Sequence, residues 1–262
     1  MSSDAMHVAK TGLNAQQTRM QVIANNLANL NTTGFKRDRA NFETLLYQNI
    51  RPAGAQTSDG TELTTPLAVG TGVRIVNTEK LYAQGGQVTT ENSLDLAIDG
   101  QGFFQVLLPD GRMGYTRDGT LSRNAEGTLT TASGYVIQPE IQIPEGAQEI
   151  TVSADGIVTV RMPGQTEPEE AGQLTLAAFP NPRGLNPIGE NMVTESAASG
   201  AAVVATPYAD GMGKLVQGAL EQSNVNVVQE LVDMIETQRA YEVNSKSISA
   251  SDEMMRFLSN KL

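Results

Sequence analysis

The chain has no cysteine, no tryptophan, a single histidine and only 5% aromatic residues among its 262. Without cysteine there are no disulfides and no thiolate metal sites. His7 stands near a terminus, where chains fray. A Ser-His-Asp or Cys-His set, or a histidine-based zinc site, therefore lacks its parts. No apolar run approaches the roughly 20 residues of a membrane-spanning helix. Nor is a cleaved signal peptide expected, because Ser2, Ser3, Asp4 and His7 occupy the place of a basic, then apolar, leader. The net charge is −11. An acidic surface repels phosphates, so nucleic acid is not an expected partner. So lean a core is consistent with apolar surface left over for partners.

The remaining candidates for chemistry are weak. Asp95 and Asp99 are a possible carboxylate pair, but turn and surface roles explain them. The Asp-Gly pairs lack the spacing of a calcium loop and mark turns. Thr71-Gly72-Val73 leads into a strand pattern and not a helix, so it is no phosphate loop. We expect no catalytic, metal or cofactor site and no small-molecule substrate. The chain reads as a non-enzyme.

What is present is periodicity at both ends. Met6, Leu13, Met20 and Leu27 recur every seven residues, with Ala9, Gln16, Ile23 and Leu30 as a companion seam. Two such seams suit packing along another helix. The spacing predicts a helix from near Asp4 to near Asn31, on the order of 40 Å long. It carries Asn25, Asn26 and Asn29, and asparagine competes with the helical backbone for hydrogen bonds. Either they mark a fraying end stopped by Gly34 as a left-handed cap, or they bond to neighbouring chains. Lys36 and Arg37 beyond the helix would offset its dipole.

At the other end, Asn226 is a good N-cap with Gln229 as reciprocal partner. Val227, Met234, Tyr241, Ile248, Met255 and Leu262 then recur every seven residues, widened by Leu231 and Ile235. The stripe is narrow and polar in its middle, so this helix needs another beside it. The first forty residues are net positive and residues 226–262 net negative, which favours their meeting. Closing so long a loop has an entropy cost, so pairing is expected to need contacts from neighbouring chains.

Between the helices, Gln48 to Gly72 is rich in Pro, Gly, Thr and Ser and reads as extended, either a linker or a segment ordered against partners. From Val73 the pattern is β, punctuated by Asp99-Gly100, Asp110-Gly111, Asp118-Gly119 and Asp155-Gly156, which predicts an antiparallel sandwich or barrel-like body. The expected class is α+β: long terminal helices pairing as a coiled coil around an all-β insertion. The boundaries are 1–35 for the first helix, 36–72 for the extended segment, 73–222 for the β body and 223–262 for the last helix.

Several motifs carry a resemblance. They are Ala9-Lys10-Thr11-Gly12-Leu13, Ala24 to Arg37, Gly100-Gln101-Gly102-Phe103-Phe104, Tyr115-Thr116-Arg117-Asp118-Gly119 and Ser223 to Glu242. Together they resemble the bacterial flagellar rod and hook family over nearly the whole chain. The resemblance implies a structural subunit of the distal rod, stacked helically into a hollow drive shaft, with terminal helices lining the tube and the β body outside. A hook or proximal rod subunit of the same family is the alternative, and the body size and the stretch after Tyr47 argue against it. It implies export through the flagellar type III apparatus into the periplasm. The implied partners are further copies, proximal rod and hook subunits, and peptidoglycan-ring and outer-membrane-ring proteins. Subunit contacts would fall on Met6, Leu13, Met20, Ile23, Asn25, Asn26, Leu27, Asn29, Leu30 and Phe35, and on Val227, Leu231, Met234, Tyr241, Ile248, Met255 and Leu262. A secreted wall-acting enzyme and an adhesive module are the readings from other classes.

Overall fold

The structure is a computed structural model describing residues 2–53, 56–58, 61–62, 65–164 and 167–259. Two helices, α1 (Ser2–Ala28) and α2 (Val227–Ser259), flank a mostly antiparallel β region. The class is α+β. The chain divides into two compact units.

The terminal unit takes Met1–Leu27, Asp38–Glu79 and Asn226–Leu262. α1 stops at Ala28, three residues short of the expected Asn31, and Gly34 lies in a later turn with φ 66°. Asn226 caps α2 as its type suggests: its Oδ1 accepts from the amides of Val228 and Gln229 at 3.0 and 3.2 Å. Gln229 does not reach back as a reciprocal partner; its amide donates forward to Asp233. Polar contacts join the helices. Arg19 meets Asp233 at 3.6 Å and Asn26 meets Glu230 at 3.2 Å. A Cβ on Gly12 would stand 3.1 Å from the Asn244 amide. Numbers rise on α1 as they fall on α2, so the two run antiparallel.

The remainder of this unit is a ribbon. Asp38–Thr44 pairs with Val73–Lys80, Tyr47–Arg51 with Leu67–Gly70, and Gln56–Ser58 with Thr61–Glu62, each pair nested inside the one before. Regular β structure thus begins at Asp38, well before Val73. Strand pairing satisfies the backbone that the Pro- and Gly-rich composition suggested was irregular. Bulges between Asn49 and Arg51 and between Gln56 and Ser58 break the two-residue alternation. Near the root, Arg39–Glu79, Asn41–Asn77 and Glu43–Arg74 form a polar ladder across the strands.

The β unit takes Ala28–Arg37 and Lys80–Val225. Its nine-stranded sheet centres on Phe103–Leu107, flanked by Met113–Thr116 on one side. The other side is shared: Phe103 and Phe104 pair with Leu176–Ala178, while Gln105 to Leu107 pair with Val136–Gln138. A three-stranded sheet of Glu149–Val152, Ile157–Arg161 and Glu169–Gln173 stands apart in the pairing. The core packs Phe104, Leu96, Ile98, Ile137, Leu174 and Val158, all fully buried. A second cluster stacks Phe103, Phe179 and Tyr115 edge to face, with centroids 5.8 and 4.8 Å apart. Turns fall at Asp110-Gly111 and Asp155-Gly156, where Gly111 and Gly156 take φ of 80° and 86°, which glycine adopts without strain, whereas Asp118-Gly119 forms no turn and Asp99 ends a strand.

Candidate assembly interface

The asparagines bond within their own chain. Asn26 is 1% exposed. Its Oδ1 accepts from the Asp38 backbone amide at 2.8 Å, and its Nδ2 donates to the Asp38 carbonyl at 2.9 Å and to Glu230 Oε2. Glu230 is equally buried, in the first turn of α2. Asn25 is exposed and donates to the Asp38 carboxylate at 3.3 Å. Asn29 accepts from the Thr32 hydroxyl at 3.1 Å.

Lys36 is not a solvated dipole partner. It is buried, with Nζ 2.6 Å from Glu221 Oε1 and 2.9 Å from the Ala83 carbonyl. Arg117, also buried, places Nη1 3.3 Å from Glu221 Oε2, and its Nη2 donates to the Gly100 carbonyl at 2.7 Å. Two cations thus share one carboxylate, which also accepts from the Gly85 amide at 2.9 Å. Burial drives the Lys36 pKa down, opposed by the hydrogen bond and charge of Glu221 and assisted by Arg117. Burial likewise lowers Arg117, opposed by Glu221. Asp95 is buried rather than superficial, held in its turn by the Thr90 hydroxyl and the Asn92 amide. The carboxyl of Asp99 is lowered by hydrogen bonds from Gln84 and Lys214. These carboxylates hold turns and pairs. Among the described residues, no group of three or more His, Cys, Asp or Glu could hold a metal ion.

The helix faces sort unexpectedly. On α1, buried Ala15, Ile23 and Asn26 share a three-four spaced stripe with Gly12 and Arg19. On α2, Glu230, Asp233 and Asn244 touch α1, and Thr237, in register with them, is buried. The covered stripe of α2 is therefore mixed, with Glu230, Asp233, Thr237 and Asn244 interleaved with Val227, Met234 and Ile248 of the expected repeat. Of that repeat, Val227, Met234 and Ile248 are half-buried, Tyr241 and Met255 are exposed, and Leu262 lies outside the described residues. Leu231 is exposed, as are Val228, Val232, Ile235, Val243, Met254 and Phe257. On the N-terminal side Met6, Leu13, Met20, Leu27 and Leu30 are half-buried. Ile23 is buried, and so is Phe35, beneath the Lys80 ammonium at 5.0 Å. The ribbon adds Phe42, Tyr47, Ile50, Leu67, Val69, Val76 and Leu46, the last 89% exposed.

Apolar side chains thus stand outside on both a long helix and a two-stranded ribbon, elements that seldom persist uncovered. This is the make-up of a chain covered by neighbours in an assembly, and three family models, all of flagellar basal-body and hook proteins, match it. Residues 6–36 match the flagella basal body rod protein, 97–160 the flagellar hook protein FlgE/F/G D1 domain, and 216–261 the flagellar basal body rod FlgEFG protein C-terminal region. The flagellar basal-body rod protein FlgG of Buchnera aphidicola subsp. Schizaphis graminum is 53% identical over 255 residues, covering 97% of this chain and 98% of its own. FlgG of Caulobacter vibrioides is 47% identical over 253 residues, 96% and 97% of the two chains. That of Bacillus subtilis is 36% identical over 256 residues, 95% and 96%. The chain belongs to the FlgG family of flagellar basal-body rod proteins. It is a structural protein of a family that is not an enzyme family.

Proposed function

We propose that copies of this chain self-assemble helically into the hollow distal rod, the shaft that carries torque from motor to hook. The observation that carries this is the exposed apolar face of α2, from Val228 through Leu231, Val232 and Ile235 to Val243. Each such side chain yields about 1.5–3 kcal/mol at full burial. The five are already about half buried, so burying the rest is worth roughly 4–8 kcal/mol, within the 4–15 kcal/mol that association costs. One face is therefore marginal for a pair, and neighbours on several sides favour a polymer. α1 and α2 pair as a coiled coil in that polymer, and the ribbon lies between subunits. The further partners of this reading are the proximal rod and hook subunits, the peptidoglycan-ring and outer-membrane-ring proteins, and the type III export apparatus that delivers the chain to the periplasm. The test is sedimentation and electron microscopy of the purified chain as its concentration rises. Tubular polymers are expected, and single-chain mass at every concentration overturns the reading.

A further inference from the structure

The Asn26 side chain bonds at once to the backbone at the root of the ribbon and to α2. Its amide faces Asp38 as another peptide group would, accepting from N–H and donating to C=O. That pins the first residue of the strand Asp38–Thr44 in extended form. The second hydrogen of Nδ2 goes to Glu230 Oε2, 204 residues away in sequence. Glu230 Oε2 accepts from Nδ2, so the nitrogen side of the amide faces it. That orientation is also the one in which Nδ2 reaches the Asp38 carbonyl. The Asn26 side chain is buried, its bond to Glu230 is buried and its two bonds to Asp38 are partly buried, a setting where an unmade bond is expensive.

We propose that Asn26 is a positioning residue for assembly: through its amide, seating α2 against α1 fixes the start of the ribbon, so that the two exposed surfaces form together. The consequence for a polymer rests on the assembly reading above, but the coupling does not. Neither alanine nor aspartate can replace the amide, since alanine offers no polar group and aspartate no donor. Glutamine at 230 keeps an acceptor for Asn26.

The test is amide exchange, read by mass spectrometry, on the full chain across a concentration series. Native, Asn26→Ala, Asn26→Asp and Glu230→Gln proteins are compared, and sedimentation is scored on the same samples. In the native chain residues 38–44 and 227–234 gain protection together. Asn26→Ala lowers protection in both by about 10- to 100-fold and Asn26→Asp by at least as much, while residues 103–107 of the β unit and all of Glu230→Gln stay near native. The proposal is overturned if the two segments are protected at different concentrations, if neither is ever protected, or if Asn26→Ala loosens only one. It is overturned too if Asn26→Asp behaves as native, because a structural filler would then suffice. Coupled protection in a chain that never sediments keeps the coupling and removes the assembly reading.

Discussion

Lys36 Nζ and Glu221 Oε1 are 2.6 Å apart, with 185 positions of chain between them. The pair ties the segment after α1 to the strand Ala219–Glu221 inside the β unit. With Arg117 on the other oxygen, the cluster holds one more positive charge than negative.

That imbalance ranks two substitutions. Glu221→Ala leaves two cations buried without their carboxylate, and should cost about 3–5 kcal/mol. Lys36→Met leaves Glu221 paired with Arg117 and should cost clearly less. Denaturant unfolding of the two variants measures both.

The same cluster gives a pH dependence. The folded-state pKa of Lys36 lies below its ordinary 10.5. The unfolded chain therefore binds that proton more readily between the two values, and stability rises with pH across that alkaline window. The Lys36→Met protein should lack this contribution. Subtracting its unfolding curve from the native one between neutral pH and 10.5 isolates it.

Glycines at positive φ should differ by what surrounds them. At Gly34 a Cβ would sit 2.7 Å from the Arg117 carbonyl, whereas at Gly111 nothing lies within 4 Å. Gly111→Ala should cost only the left-handed strain of about 1–2 kcal/mol. Gly34→Ala must also move backbone and should cost more. Thermal unfolding of the two single variants checks the order.

The ribbon offers a mechanical prediction. Removing part of Gln48 to Gly72 deletes strands whose apolar side chains are exposed, so the β unit should melt unchanged. A polymer of the shortened chain should bend more, because contacts that resist sliding between subunits are gone. Persistence lengths from electron micrographs measure this, and equal stiffness would count against a role for the ribbon between subunits.

The two terminal helices were legible because their seven-residue repeats are long, and the Asp-Gly turns because glycine at positive φ has a direct chemical reason. The ribbon was hidden by its proline and glycine content and by its bulges, which erase alternation. The facing of α2 was hidden for a subtler cause. Periodicity finds the apolar stripe, and in an isolated soluble domain that stripe faces inward. Here Val227, Met234 and Ile248 of the repeat are half-buried among the polar Glu230, Asp233 and Asn244, while Leu231, Ile235 and Val243 remain outside. The buried cluster was beyond reach as well. Lys36, Arg117 and Glu221 each sit in ordinary sequence, and only the fold brings them together.

The most direct test of the central claim is to compare the native chain with Ile235→Glu, by sedimentation and thermal unfolding side by side. Ile235 is half exposed on α2, so a charge there should change the stability of the separate chain by no more than about 0.5 kcal/mol. The account predicts that the native protein sediments as a polymer and that the variant stays dispersed with its unfolding curve unchanged. A variant that assembles as readily as the native chain would contradict it.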